Sequence, residues 1–265
     1  MKPLAEFPAA DRRAIRGVFT DIDETVSTDG RLTAEAYGAL EQLKAAGLMV
    51  IPVTGRPAGW CDLIARFWPV DAVVGENGAF WMWLDRTAGR LRTRFVQDEA
   101  TRAEGRRRLE AVKADVLREV PGAGIASDQP YRAADLAIDF CEDVPALPRA
   151  EVDRIVAIFE RHGAHAKISS IHVNGWFGDY DKLTTTRLMM GELYGVDLGA
   201  TRNAWLFSGD SPNDAPMFGF FPNAVGVANV VDFADRTPHL PRWITRARSG
   251  AGFAEMARAL LESRR

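Results

Sequence analysis

Short apolar runs that end in polar residues, separated by amphipathic stretches, organise the first third of the chain. Gly17-Val18-Phe19-Thr20-Asp21 reads as a short buried strand with a polar end. Thr33 is placed to cap a helix over about 34–46, and Gly47 to stop it. Leu48 to Val53 is a second apolar strand, broken by Thr54-Gly55-Arg56-Pro57. Pro52 counts against that strand, because proline cannot donate to a ladder. A helix over about 58–67 and a third strand, Ala72-Val73-Val74, follow. Strands and helices alternating at this spacing imply parallel pairing with right-handed crossovers, hence an open α/β sheet.

The pattern changes near Trp81. Trp81 to Leu84 and Arg90 to Val96 read as neighbouring strands around an Asp85 to Gly89 turn. Thr101 to Val120 is a long charged helix ended by Pro121-Gly122; 131–140 is strand-like, 148–162 helical and 165–173 strand-like. This mixture predicts a separate α+β unit inserted into the first domain. The α/β pattern then resumes with a helix at 183–194, a strand at 205–208, a short helix at 214–218, short strands at 224–227 and 243–245, and a closing helix at 253–262. The expected organisation is a catalytic core of residues 1–84 and 179–265, with 85–178 as an inserted cap.

Composition narrows the function. With 33 basic and 36 acidic residues the formal net charge is −3, which argues against a nucleic-acid binder. The Arg102 to Arg108 cluster is read as a solvated helix face, since residues 86–177 hold 15 basic against 14 acidic side chains. No apolar run approaches the ~20 residues that span a bilayer, and the N-terminus has no signal-like apolar core. Cytoplasmic residence without membrane association is expected; oligomeric state is left open. Cys61 and Cys141 stand far apart and read as structural thiols. The four histidines form no zinc-binding pattern.

In an open α/β sheet, ligands bind beyond the carboxyl ends of the strands. Those ends carry Asp21-Ile22-Asp23-Glu24-Thr25, Thr54-Gly55-Arg56 and Gly209-Asp210-Ser211-Pro212-Asn213-Asp214. If the strands are neighbours, Asp21, Asp23, Asp210 and Asp214 share one crevice. Two unit charges ~4 Å apart repel by ~4 kcal/mol at an effective dielectric of 20. Protons or a cation must relieve them, and an oxygen-only donor set favours Mg²⁺. Thr54 offers a hydroxyl, and backbone N–H groups near Ile22 and Gly55 suit a phosphate dianion. Lys182, one of only five lysines beside 28 arginines, offers a compact positive charge.

In these four motifs, and in Glu76-Asn77-Gly78-Ala79 before the cap, the sequence resembles the haloacid dehalogenase (HAD) superfamily of phosphohydrolases, specifically its Cof-type, subclass IIB branch. The resemblance runs from about Val18 to Leu261. It implies a Rossmann-like parallel-sheet core with an inserted α+β cap of the C2 type. It implies Asp21 as nucleophile through a phosphoaspartate, and Asp23 as general acid and then base. Mg²⁺ would be held by Asp21, the backbone carbonyl of Asp23 and Asp210. Thr54, Gly55, Lys182 and Asn213 would bind the phosphoryl group, and Asp214 would orient the lysine or metal-bound water. Glu24 departs from the usual pattern and adds negative charge near the site.

Arg56, His172 and Asn174 are candidate substrate contacts, Arg56 alternatively pairing with Glu76. The tryptophans read as core. The resulting expectation is a Mg²⁺-dependent phosphoric monoester hydrolase acting on a small phosphorylated metabolite, best matched by a sugar phosphate. Two alternatives are a phosphomutase of the same superfamily, which Tyr180-Asp181-Lys182 faintly resembles, and a non-catalytic binder of a phosphometabolite.

Overall fold

The structure is a computed structural model and describes residues 1–264. The first segment holds β1 (Lys2–Pro3), α1 (Ala9–Ala14), β2 (Gly17–Thr20), β3 (Ser27–Thr28), β4 (Arg31–Leu32), α2 (Ala34–Ala45), β5 (Met49–Pro52), α3 (Ala58–Phe67) and β6 (Val73–Gly75). Thr33 caps α2 as expected, accepting from the Ala36 N–H, and Gly47 leaves the helix at φ 79°. Pro52 is tolerated at the end of β5. The Val53 N–H points to β2, where it bonds Thr20 O, so the Pro52 nitrogen faces β6. On that side the sheet continues through Val50, which bonds Asp71, and through the isolated Val53–Val74 bridge just past the strand, so no ladder partner needs a Pro52 N–H. β1 and α1 lie outside the predicted elements.

β7 (Phe80–Asp85) and β8 (Arg90–Phe95) form the expected hairpin, which pairs antiparallel with β6. Phe80 and Trp81 are buried among core residues, and Phe95 packs beside them. Residue 85 therefore falls inside a hairpin that belongs to the core by its contacts. The insert with its own interior runs through α4 (Glu99–Glu119), β9 (Gly124–Ile125), β10 (Leu136–Asp139), α5 (Arg149–Arg161), β11 (His165–Ile168) and β12 (His172–Trp176). Two sequence expectations change here. The strand over 131–140 shrinks to β10, preceded by a turn at Gln129–Tyr131. The strand over 165–173 is two strands, because the Ser169 hydroxyl accepts the His172 N–H and closes a tight turn.

The cap sheet is antiparallel in the order β11-β12-β10-β9. Alternation along β12 turns Val173 toward α4 and α5, and His172 and Asn174 toward the core. Gly175 lies where Phe159 of α5 presses on the strand: a Cβ there would meet the ring at 2.1 Å.

The chain returns to the core as α6 (Lys182–Tyr194), α7 (Leu198–Thr201), β13 (Trp205–Gly209), α8 (Ala215–Phe220), β14 (Val225–Gly226), β15 (Trp243–Ile244) and α9 (Ser249–Glu262). The main sheet is parallel throughout, in the order β1-β15-β14-β13-β2-β5. Successive residues feed opposite faces: Val18, Val50 and Leu206 join one apolar cluster, while Phe19, Ile51 and Phe207 join the other. Such double burial explains the continuous apolar runs. β2 is flanked by β5 and β13, so the three motif-bearing strands are neighbours and end on one edge. Among the described residues no helix is long and apolar enough to cross a membrane.

Candidate active site

Asp21 and Asp210 follow directly on β2 and β13, and the pairing of those strands brings them together. Asp21 anchors its loop by donating its N–H to Ser208 O at 2.8 Å. Lys182 enters from the first turn of α6 and is 1% exposed. Its Nζ lies 2.9 Å from Asp21 Oδ1 and 2.7 Å from Asp214 Oδ1. The second Asp214 oxygen accepts the N–H groups of Asp210 and Ser211, which fixes the turn entering α8. Asp210 accepts from Thr25 Oγ1 on one oxygen and from Asn229 Nδ2 on the other.

Carboxylate oxygens of Asp21, Asp210 and Asp214 lie within 4.8 Å of one another, all buried. Three carboxylates face one ammonium. Burial pushes the Asp21 carboxyl up to about 7, with Asp214 and Asp23 adding to the rise and Lys182 opposing it. Asp210 is raised well above the usual range, first by burial and then by Asp21 and Asp214. Lys182 is held in its charged form by the two aspartates in spite of its burial. Hard oxygen donors with an unbalanced negative charge fit a divalent cation such as Mg²⁺. Asp23 is not part of this three-carboxylate cluster; its Oδ1 accepts from Arg56 Nε, and it lines the same cavity as Asp21.

The phosphate-binding candidates meet beside Asp21. Thr54 is fully buried, and its hydroxyl accepts the Arg56 N–H at 3.0 Å, leaving its own proton to donate. The N–H groups of Ile22 and Gly55 bond no protein acceptor among the described residues. Asn213 accepts from Ser211 Oγ and donates to Asn77 Oδ1 at 3.2 Å.

On the cap side, Arg56 does not pair with Glu76. Its Nε donates to Asp23 Oδ1 at 2.8 Å, and its terminal nitrogens reach Asp128 and Glu142 of the cap at 3.3 and 2.9 Å. His172 Nε2 stands 2.8 Å from the other Glu142 oxygen. The histidine contact, with Arg56 beyond it, brings the Glu142 carboxyl down to about 2 against partial burial. Asn174 donates to Asp135 at 3.1 Å, and Asp135 pairs with the buried Arg132. These residues close over a cavity of about 10 Å³ lined by Asp21, Asp23, Arg56, His172, Asn174 and Asn213. That is room for about one water, so the cap must move for any larger ligand to enter. At the outer edge two exposed pairs cross from cap to core with reversed polarity, Arg149–Asp235 at 2.5 Å and Arg236–Asp153 at 2.6 Å.

Arg132 and Asn229 were not singled out in the sequence, and the contacts of Glu76 and Glu24 were not expected. Arg132 donates to Gly55 O across the cap boundary at 2.9 Å. Glu76 is wholly buried and accepts four backbone N–H groups, from Ala58 in the core and from Ala133, Ala134 and Asp135 in the cap. Asn229 had a usable signal, since it stands just beyond the end of β14 on the motif-bearing edge. The Glu24 carboxylate reaches Ser249 on the α9 side at 2.9 Å. Tyr180 stacks on Trp176 and Asp181 caps α6, so both have structural work. Cys61 is buried and Cys141 half-buried.

A parallel core under an inserted α+β cap is the fold also seen in solved structures described as HAD/COF-like and HAD subclass IIB. Among solved structures the chain is similar to a Thermoplasma acidophilum protein (19% identity, TM-score 0.69, 93% of this chain and 98% of that one). It is also similar to a Plasmodium vivax protein assigned as a HAD/COF-like hydrolase (16%, TM-score 0.67, 96% and 98%). A third similar structure is the sucrose-phosphatase of Synechocystis sp., solved with sucrose and phosphate (14%, TM-score 0.63, 93% and 98%). No family model and no curated protein matches the sequence.

Proposed function

We propose that this protein is a Mg²⁺-dependent phosphatase that hydrolyses a small phosphate monoester, best matched by a sugar phosphate, through a phosphoaspartate on Asp21. The observation that carries this reading is Lys182 bridging Asp21 and Asp214 inside the cluster that also holds Asp210. A nucleophilic carboxylate needs a positive partner that restrains it and accepts the charge of an incoming phosphoryl group, and the contacts of Lys182 support that reading. Asp21, Asp210 and the backbone carbonyl of Asp23 would hold Mg²⁺, which supplies charge neutralisation at the phosphoryl oxygens.

The remaining work falls to the chain itself. Thr54, Lys182, Asn213 and the free N–H groups of Ile22 and Gly55 bind and orient the phosphoryl group. Asp21 attacks phosphorus, and Asp23 gives a proton to the departing alkoxide. Asp23 then takes a proton from the water that cleaves the acyl phosphate, returning Asp21 and free phosphate. The closed cap excludes bulk water from the first step, and its polar face of Glu142, His172 and Asn174 offers hydrogen-bonding partners to a hydroxylated leaving group. The similarity in fold to a sucrose-phosphatase supports the same class.

A phosphate-release screen over phosphorylated metabolites, with Mg²⁺ and with EDTA, tests the proposal. Phosphate should accumulate only with the metal. An isomerised sugar phosphate in place of free phosphate would make the protein a phosphomutase, and no turnover of any ester would end the reading.

A further inference from the structure

The turn after β6 puts the amide of Asn77 directly behind Gly55 and Asn213, two residues of the cavity wall. Glu76, Asn77 and Gly78 take left-handed φ values of 44°, 53° and 114° in succession. Two of the three are not glycine, a conformation that persists only where the surroundings impose it. Here they do: the four N–H groups on the Glu76 carboxylate fix one side of the turn, and the Asn77 N–H bonds Thr54 O at 3.0 Å. The Asn77 side chain, 2% exposed, therefore has little freedom.

Its two ends differ. Oδ1 accepts from Asn213 Nδ2 at 3.2 Å, while Nδ2 is buried with no partner. That nitrogen lies against Gly55: a Cβ built on Gly55 would stand 3.1 Å from it and 3.5 Å from Asn174 Oδ1. Gly55, Asn174 and Asn213 all line the cavity over Asp21. A buried donor without an acceptor is costly unless something else satisfies it. An oxyanion with spare lone pairs, already flanked by the Gly55 N–H and Thr54, is the fitting partner.

We propose that Asn77 belongs to the phosphoryl-binding cradle, its Nδ2 donating to the bound phosphoryl group and its Oδ1 bracing Asn213. The proposal rests on the phosphatase reading and adds to it a residue outside the four motifs.

The backbone provides an unusually clean test. Glycine adopts this φ without strain, so Asn77→Gly removes the amide while preserving or improving the turn. Asn77→Asp keeps size and tolerance of the left-handed region, but sets a carboxylate against the anion. Inorganic phosphate is titrated calorimetrically into each variant with Mg²⁺ present, beside thermal unfolding and KM and kcat for para-nitrophenyl phosphate. The expected result is phosphate affinity in the order Asn, Gly, Asp. The first step should be about 10- to 100-fold, as for loss of one hydrogen bond to a charged group, and the melting of Asn77→Gly separately reads the loss of the Oδ1–Asn213 bond. Equal affinity for the parent and Asn77→Gly would reduce Asn77 to a turn residue, as would equal affinity for the parent and Asn77→Asp. If the parent protein neither binds phosphate nor hydrolyses the ester, the phosphatase reading falls and this proposal with it. If only the variants behave as the parent does, that reading stands and the role of Asn77 alone is lost.

Discussion

Arg56 donates its Nε to Asp23 at 2.8 Å while its other nitrogens hold two carboxylates of the cap. One core side chain thus ties Asp23, the proposed acid and base, to the state of the cap. Arg56 is 3% exposed and Asp128 7%, whereas Glu142 is about a quarter exposed. Removing one partner of a buried pair costs about 3–5 kcal/mol, and the exposure of Glu142 places this case near the lower limit. Arg56→Ala is expected to lose about 3 kcal/mol in urea unfolding and to loosen the cap, seen as faster hydrogen exchange in 128–142. Unchanged exchange there would show that Arg56 does not fasten the cap.

Asp21 and Asp23 should be separable kinetically. A carboxamide at position 21 is a poor nucleophile, so Asp21→Asn should neither turn over nor become phosphorylated. Asp23→Asn keeps the nucleophile and loses the acid and base, help that is typically worth 10²–10⁴-fold. An aryl leaving group departs largely unaided, so Asp23→Asn should release a burst of phenol and then turn over slowly, with phosphate trapped on the protein. Quench-flow with intact-mass measurement shows this directly. Phosphate mapped to any residue other than Asp21 would refute the assignment.

Magnesium should stabilise the protein through the carboxylate cluster. At a hundredfold excess over its dissociation constant, a ligand that binds only the native state adds about 2.7 kcal/mol. Asp210→Asn removes one carboxylate charge and should abolish most of the Mg²⁺-dependent rise in Tm together with activity. A Tm that still climbs with Mg²⁺ in that variant would place the metal elsewhere.

Three buried carboxyls set the pH response. Asp21 and Glu76 are each pushed up to about 7, and Asp210 rises well above its ordinary range; burial is the first cause in all three. A raised carboxyl keeps its proton in the native state after the unfolded chain has lost it, so its contribution is full below pH ~4 and is lost as pH rises through 7. In EDTA, Tm should therefore fall between pH 5 and pH 8, and Mg²⁺ should flatten the part owed to Asp21 and Asp210. Glu76→Gln should melt lower at pH 5, since one amide oxygen cannot serve four N–H groups, yet show a shallower decline toward pH 8. A decline as steep as the parent's would remove Glu76 from the account.

The parallel core was legible because burial on both faces writes continuous apolar runs, and the motif-bearing strand ends stood out against them. The cap was harder. Its strands are short, and the turn at Ser169 is closed by a side chain in a run with no glycine or proline to announce it. The edge strand β1 is two residues long and owes its place to β15, far away in sequence. At the site, the gathering of Asp21, Asp210 and Lys182 was legible from the motifs and their spacing. The cross-domain contacts of Glu76 and Arg132 were not, because they are made to backbone of the opposite domain, and a contact with an N–H or a carbonyl leaves no mark on its partner's residue type.

The central pairing of β2 with β13 also governs how the molecule is made. Thr25 and Asp210 bond across the candidate site although 185 residues separate them, so the strand that carries Asp21 is among the first made and waits for one of its two neighbours until most of the chain exists. The insert, by contrast, closes its own interior from contiguous sequence, with the smaller loop-closure entropy that local contacts carry. During synthesis the cap is therefore expected to fold before the catalytic sheet is complete. Substitutions in the cap interior, at Phe159 or Gly175 for example, should act on the yield of folded chains earlier than on the chemistry of those that succeed.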